Sequence, residues 1–185
     1  MTVPHDLDRR FREAAAALRL VDASFDIVES PLGPLLVAVS DRGLAAVSYD
    51  PKPEAALERI ARIAGPRVLR SPRAVEEARR ELDEYFAGRR RVFDLALDLR
   101  GLASFTVSVL GELARVPYGT TTTYGALAAR VGRPRSARAV GTVMNRNRLP
   151  IVLPCHRVVG SGGDLVGYAG GLERKVALLE LEGVL

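Results

Sequence analysis

Three short apolar runs stand early in the chain, at residues 25–29, 35–40 and 44–49, and each has the length and composition of a β-strand. Pro31-Leu32-Gly33-Pro34 separates the first two and Asp41-Arg42-Gly43 the last two. Both are turn-forming clusters, so an antiparallel meander is expected. Ahead of it, the Ala-rich segment 11–20 predicts a short helix, and two more helical patterns follow at 54–64 and 74–87. The last of these carries opposite charges four residues apart and stops at Gly88. Residues 92–97 alternate well enough for one further strand. This half reads as a small α/β unit with no constellation of reactive groups.

Gly101 interrupts the pattern, and a boundary there divides the chain into an α/β domain, residues 1–98, and a mainly helical domain, residues 99–185. Ser104 is expected to cap a helix reaching about Arg115, with Phe105, Val109 and Leu113 on one face. Pro117-Tyr118-Gly119 ends it. Thr123 then caps a helix over 124–131, Gly132-Arg133-Pro134 turns the chain, and Ser136 caps a second helix to about Asn145. Helix, short glycine-containing turn and helix form a helix-turn-helix pattern. On the second helix Ala137, Ala139 and Gly141 leave little side chain while Arg138 projects. Close packing against another helix accounts for such a surface. So does a close approach to a nucleic-acid groove with one cationic side chain inserted.

Charge favours the second account. Residues 1–100 hold 17 basic and 17 acidic side chains, whereas residues 101–185 hold 10 and 5, so the whole net charge of +5 lies in the second half. Between Glu112 and Asp164 there is no acidic residue, yet there are eight arginines, at 115, 130, 133, 135, 138, 146, 148 and 157. Solvated faces usually mix both signs; a one-sign stretch of this length favours a polyanion. The remaining composition is that of a globular protein: 185 residues, 48% hydrophobic and 26% charged, with apolar runs far below the ~20 residues of a membrane span. Charged residues throughout the first twenty leave no apolar core for a secretory signal, so an intracellular, cytoplasmic protein is expected. One cysteine and two histidines rule out an intramolecular disulfide and a tetrahedral Cys/His zinc site.

The most informative stretch is 151–159, where a hydrophobic strand runs into Pro154 and then delivers Cys155, His156 and Arg157 in succession. A lone cysteine is commonly a buried inert one. Here the adjacent histidine and the cationic setting favour the reactive thiolate. Neighbours on a strand point to opposite faces, so Cys155 and His156 can cooperate only where the chain turns, or through a water. A third group usually orients such an imidazole. The nearby acids are Asp164, Glu173, Glu180 and Glu182.

These residues resemble those of the O6-alkylguanine-DNA alkyltransferases, single-turnover DNA repair proteins. The likeness runs from about Asp22 to Gly183. It is strongest in Val116-Pro117-Tyr118-Gly119, Thr123-Tyr124-Gly125, Ala137-Arg138-Ala139-Val140-Gly141, the stretch 147–150, Pro154-Cys155-His156-Arg157-Val158, and Gly167-Tyr168-Ala169-Gly170-Gly171-Leu172. The resemblance implies an α/β N-terminal domain and a helical C-terminal domain whose helix-turn-helix enters the minor groove of double-stranded DNA carrying O6-alkylguanine. It implies a monomer, cooperative along DNA, that needs no cofactor. By position Cys155 matches the nucleophile, His156 the base acting through a water, Glu182 the carboxylate orienting it, and Asn147 the residue holding the active-site turn. Tyr124 matches the tyrosine that promotes nucleotide rotation, and Arg138 the arginine finger that enters the duplex. Tyr168 and Ala169 fall on the loop closing over the guanine, with Val158 on the opposite wall. Thr106, Gly125, Arg133 and Ser161 match further DNA-contacting positions.

The implied reaction is an in-line displacement in which the Cys155 thiolate takes the alkyl group from guanine and the leaving base is protonated, a step for which Tyr124 is a candidate. Leu110 and Arg148 depart from the tryptophan and proline that bacterial relatives commonly carry. Two rivals differ in class. A non-catalytic lesion sensor would lack the cysteine, and a Cys-His hydrolase would turn over repeatedly and leave the arginines without a role.

Overall fold

A computed structural model describes residues 10–11, 14–15, 20–50 and 53–185. The helix expected over 11–20 falls largely outside them. The chain forms two compact units. One holds the residues up to Tyr85 together with Asp94–Arg100, and the other holds Phe86–Phe93 and Gly101–Leu185.

In the first unit β1 (Ala23–Val28), β2 (Leu35–Ser40) and β3 (Gly43–Ser48) form the expected antiparallel meander, in register from Ala23 opposite Ser40 to Val28 opposite Leu35. Helix α1 (Pro53–Ala64) leads to a strand that the sequence pattern did not single out, β4 (Val68–Arg70). It pairs parallel to β1, so the sheet has the order β3-β2-β1-β4 and is mixed rather than purely antiparallel. Three residues are too few to show a period. Leu36, Ala38 and Ala46 of the sheet pack with Ala56 and Ile60 of α1. The alternate residues Leu35 and Val37 are also buried, as is expected of a strand covered on both faces. The helix expected from residue 74 is a 3-10 turn, Pro72–Val75, running into α2 (Glu76–Phe86).

Residues 92–97 make only a single bridge, Leu97 beside Leu44, and no ladder. The segment passes so close to the β2–β3 turn that a Cβ on Gly43 would lie 2.1 Å from the Ala96 carbonyl oxygen. Just beyond it the fully buried Asp98 accepts hydrogen bonds from Ser40 Oγ and from the Arg100 guanidinium, which also reaches Asp41.

The second unit contains α3 (Ser104–Ala114), β5 (Thr122–Thr123), α4 (Tyr124–Arg130), α5 (Ala137–Asn145), a 3-10 turn at Cys155–Arg157, β6 (Val158–Val159) and α6 (Leu172–Leu181). Helices α4 and α5 form the expected helix-turn-helix and both pack on α3 through a core that includes Val109, Leu113, Leu127, Val140 and Met144. Of the three expected caps, only Thr123 closes by its side chain, accepting the Ala126 amide at 3.1 Å. Ser104 is the first helical residue, behind Ala103, and Ser136 stands at the cap position of α5 without a side-chain bond. Strands β5 and β6 pair in parallel, Thr122 opposite Val158 and Thr123 opposite Val159. No helix among the described residues is long and apolar enough to cross a membrane.

Candidate active site

The stretch expected as a strand running into Pro154 is instead a compact turn. Asn147 shapes it: its Oδ1 accepts the Leu149 amide at 3.0 Å, and its Nδ2 donates to the Leu153 carbonyl at 2.8 Å and to Cys155 Sγ at 3.2 Å. Inside the turn Ile151 adopts φ +74°, a left-handed conformation costly for a β-branched residue, and is fully buried. The chain then enters the Cys155–Arg157 3-10 turn. Successive side chains there diverge by about 120°, rather than the 180° of a strand. The turn needed for Cys155 and His156 to act together is therefore present.

Cys155 is 4% exposed, and burial pushes its thiol up to about 11, against the opposing pull of the Asn147 hydrogen bond and the Lys175 charge. His156 is wholly buried. Its Nε2 lies 2.9 Å from Glu182 Oε1. A carboxylate acceptor fixes the proton on Nε2 and leaves Nδ1 as the basic atom. Burial lowers the pKa of His156 despite Glu182, so the imidazole is neutral at pH 7. Nδ1 is buried and meets no hydrogen-bonding group of the described residues.

Glu182 follows the last turn of α6, where the helix dipole disfavours a carboxylate. Three groups offset this. Arg157 donates from Nε at 2.9 Å and from Nη2 at 2.8 Å, the Gly119 amide donates at 3.2 Å, and His156 completes the set. Arg157 also donates from Nη1 to the Val116 carbonyl at 2.6 Å, and its guanidinium lies over the Tyr118 ring. Lys175, fully buried, donates to the carbonyls of Val158 and Val166 at 2.7 and 2.8 Å, so it ties β6 to the loop before α6.

In front of Cys155 opens a small pocket of about 90 Å³ lined by Tyr124, Gly141, Met144, Asn145, Cys155, Gly167, Tyr168 and Ala169. A Cβ on Gly141 would stand 3.8 Å from the Tyr124 ring. Burial raises the Tyr124 pKa, and the nearby Cys155 adds to it, so the phenol keeps its proton.

Of the residues singled out from sequence, Cys155, Tyr124, Tyr168 and Ala169 share this pocket, Asn147 bonds the thiol, and His156 and Glu182 bond to each other outside the lining. Val158 is fully buried and is not part of the pocket lining; its carbonyl accepts from Lys175. Arg138 on α5, Gly125 on α4, Arg133 in the turn between them and Ser161 are exposed, and Thr106 in the first turn of α3 is half-buried. Arg157, counted from sequence with the cationic surface, is 5% exposed and belongs to the Glu182 network. Sequence reasoning also missed Lys175. Its signal is the spacing of Lys175, Leu178, Leu179 and Glu182, all buried, which follows one face of α6. The same spacing sets Glu182 apart from the exposed Glu180.

Two family descriptions match consecutive parts of the chain: the ribonuclease-like domain of 6-O-methylguanine DNA methyltransferase over residues 25–99 and its DNA binding domain over residues 104–184. The chain belongs to the 6-O-methylguanine DNA methyltransferase family. It is 43% identical over 159 residues to the methylated-DNA–protein-cysteine methyltransferase of Methanosarcina barkeri, covering 85% of this chain and 96% of that protein. The crystal structure of Mycobacterium tuberculosis O6-methylguanine methyltransferase superposes with a TM-score of 0.75 at 38% identity, over 86% of this chain and 92% of that one. A structure of the Mycobacterium tuberculosis protein in complex with DNA matches with a TM-score of 0.74 at 38% identity, over 86% and 93%. As a member of this family the chain is a DNA-repair methyltransferase whose acceptor is a protein cysteine, and it has one cysteine, Cys155.

Proposed function

We propose that Cys155 accepts the alkyl group from O6 of guanine in double-stranded DNA, once per molecule, with His156, Glu182, Asn147 and Tyr124 as its working partners. The observation that carries the reading is the buried thiol held by Asn147 at the floor of a pocket, beside a neutral histidine whose bonded nitrogen faces Glu182. A thiol held near pKa 11 has almost no thiolate at neutral pH, so a base must take its proton as the reaction proceeds. Nδ1 of His156 is the free basic atom, and one water bridges it to Sγ. Glu182 stabilises the imidazolium that forms, and Arg157 holds Glu182 in place.

The step balances without a cofactor. The S–C bond forms as the C–O6 bond breaks, the thiol proton passes to His156, and the Tyr124 hydroxyl supplies a proton to the departing guanine. The products are S-alkylcysteine and restored guanine, and no group in the pocket reverses a thioether. The target carbon is inaccessible in a stacked duplex, so the nucleotide must be turned out. In this reading residues 99–185 carry DNA binding and transfer. The small-residue face of α5 enters the minor groove, Arg138 fills the gap left in the stack, and Thr106, Gly125, Arg133 and Ser161 contact the strand backbone. Tyr168 and Ala169 enclose the guanine. The protein acts as a monomer in the cytoplasm.

The test is intact-protein mass spectrometry after mixing with excess duplex containing O6-methylguanine, followed by peptide mapping. One added methyl per protein, on Cys155, is the expected result. Tight lesion binding with no change in mass would replace this reading with that of a lesion sensor.

A further inference from the structure

The segment Phe86–Phe93 reads Phe-Ala-Gly-Arg-Arg-Arg-Val-Phe and falls, by sequence, within the ribonuclease-like domain match. In the structure it belongs to the other unit, the one that holds the active site. Adding Arg89, Arg90 and Arg91 to the +5 of residues 101–185 gives that unit +8 and leaves −3 on the other. The segment contains no acidic residue. Arg89 and Arg91 are exposed, and no ion pair engages either of them among the described residues.

Two of these arginines are held in place. Arg90 Nη1 donates to the Val92 carbonyl at 2.9 Å, in a tight turn that Gly88 enters with φ +69°. The Arg91 guanidinium lies over the Tyr118 ring, 5.5 Å from its centre, and Arg157 lies over the same ring at 5.8 Å. Tyr118 is itself anchored, its hydroxyl donating to the Leu181 carbonyl at 2.8 Å. Stacking uses the face of a guanidinium and leaves its in-plane N–H groups directed outward, the geometry that binds a phosphate by two parallel bonds. A pre-ordered arginine also loses less side-chain entropy on binding than a free one. Arg89 and Arg91, neighbouring cations engaged by no ion pair among the described residues, repel each other in the free protein, and a polyanion relieves this.

We propose that Arg89–Arg91 form a second phosphate-binding element, built from the first half of the sequence onto the catalytic unit, which contacts the DNA backbone outside the helix-turn-helix. The inference rests on the DNA-binding reading above and adds to it a contact that neither domain match assigns.

The experiment compares wild type with Arg89→Ala/Arg91→Ala in the full chain, measuring duplex affinity between 50 and 300 mM salt. Each phosphate contact contributes about −0.9 to the slope of log K against log salt, so the double variant is expected to flatten the slope by nearly 2 and to bind on the order of tenfold or more weakly at 0.1 M. Arg89→Lys/Arg91→Lys keeps both charges and should restore most of the slope, which a merely structural role would not require. Alkyl transfer from free O6-methylguanine base should be the same in all three proteins, because no pocket residue is touched. A slope unchanged in the alanine variant overturns the proposal. Absence of salt-dependent duplex binding by the wild type would instead overturn the DNA-binding reading itself.

Discussion

Replacing Asn147 with aspartate separates its two tasks. The side chains have nearly the same shape, so Oδ1 still accepts the Leu149 amide, but the donor that serves both Leu153 and Cys155 becomes a second acceptor. The Leu153 carbonyl then loses one of its two donors and keeps the Cys155 amide at 2.8 Å, at a cost of about 0.5–1.5 kcal/mol. For a chain of this size that lowers Tm by roughly 1–6 °C. At the sulfur the change is larger. The carboxylate would stand about where Nδ2 now lies, 3.2 Å from Sγ. Two unit negative charges 4 Å apart repel by about 4 kcal/mol at an effective dielectric of 20, which is nearly three decades in thiolate population. Single-turnover rapid quench with lesion-bearing duplex should therefore show transfer slower by roughly 100-fold or more at pH 8. As pH falls and the new carboxyl gains a proton, it becomes a donor again, so the deficit relative to wild type should narrow. A rate within threefold of wild type at pH 8, in a variant that folds, would refute the claim that Asn147 governs the thiol.

Three further outcomes are expected. Glu182→Gln leaves the buried Arg157 charge without its partner, at about 3–5 kcal/mol, and loosens His156; differential scanning calorimetry should show the loss, and adding Arg157→Met should recover stability but not transfer. Burial pushes the Asp98 carboxyl up, but the Arg100 and Ser40 hydrogen bonds outweigh it and hold the group at about 2, below its ordinary 3.8. A lowered carboxylate contributes stability that is complete above 3.8 and lost as pH falls through 2. Asp98→Asn should accordingly flatten the acid limb of the stability curve, a difference of about 2 kcal/mol. Arg138→Ala, on the exposed face of α5, should slow transfer from duplex DNA while leaving transfer from free O6-methylguanine unchanged, read by the same quench assay.

Much of the architecture was legible because it rests on local chemistry. The meander followed from Gly33, Pro34 and Gly43 between apolar runs, and the helix-turn-helix from Thr123 and Gly132. Elements that depend on distant partners were not. β4 is three residues long and exists because β1 offers it an edge, while residues 92–97 look like a strand and are held to a single bridge by the turn at Gly43. The site divides the same way. Cys155 and His156 announce themselves by adjacency, but the turn that lets them cooperate is set by Asn147, eight residues from the thiol it bonds. Arg157 misled because a charge is read from sequence as solvent-facing unless its counter-ion is known, and Glu182 lies 25 residues away.

The two-residue pairing of β5 with β6 gives the unit a common footing. Thr123 ends one of these strands and caps the helix that starts at Tyr124; Val158 begins the other, directly after the turn that carries Cys155. In the reaction proposed above, the residue that meets the base thus directly follows one strand, and the attacking sulfur lies three residues before the other. The same two-rung pairing holds the bases of both segments, so their spacing is set within the protein and not by whatever duplex is bound. Tolerance of varied sequence around a lesion and strictness about the reacting atom can then reside in the same small unit without conflict.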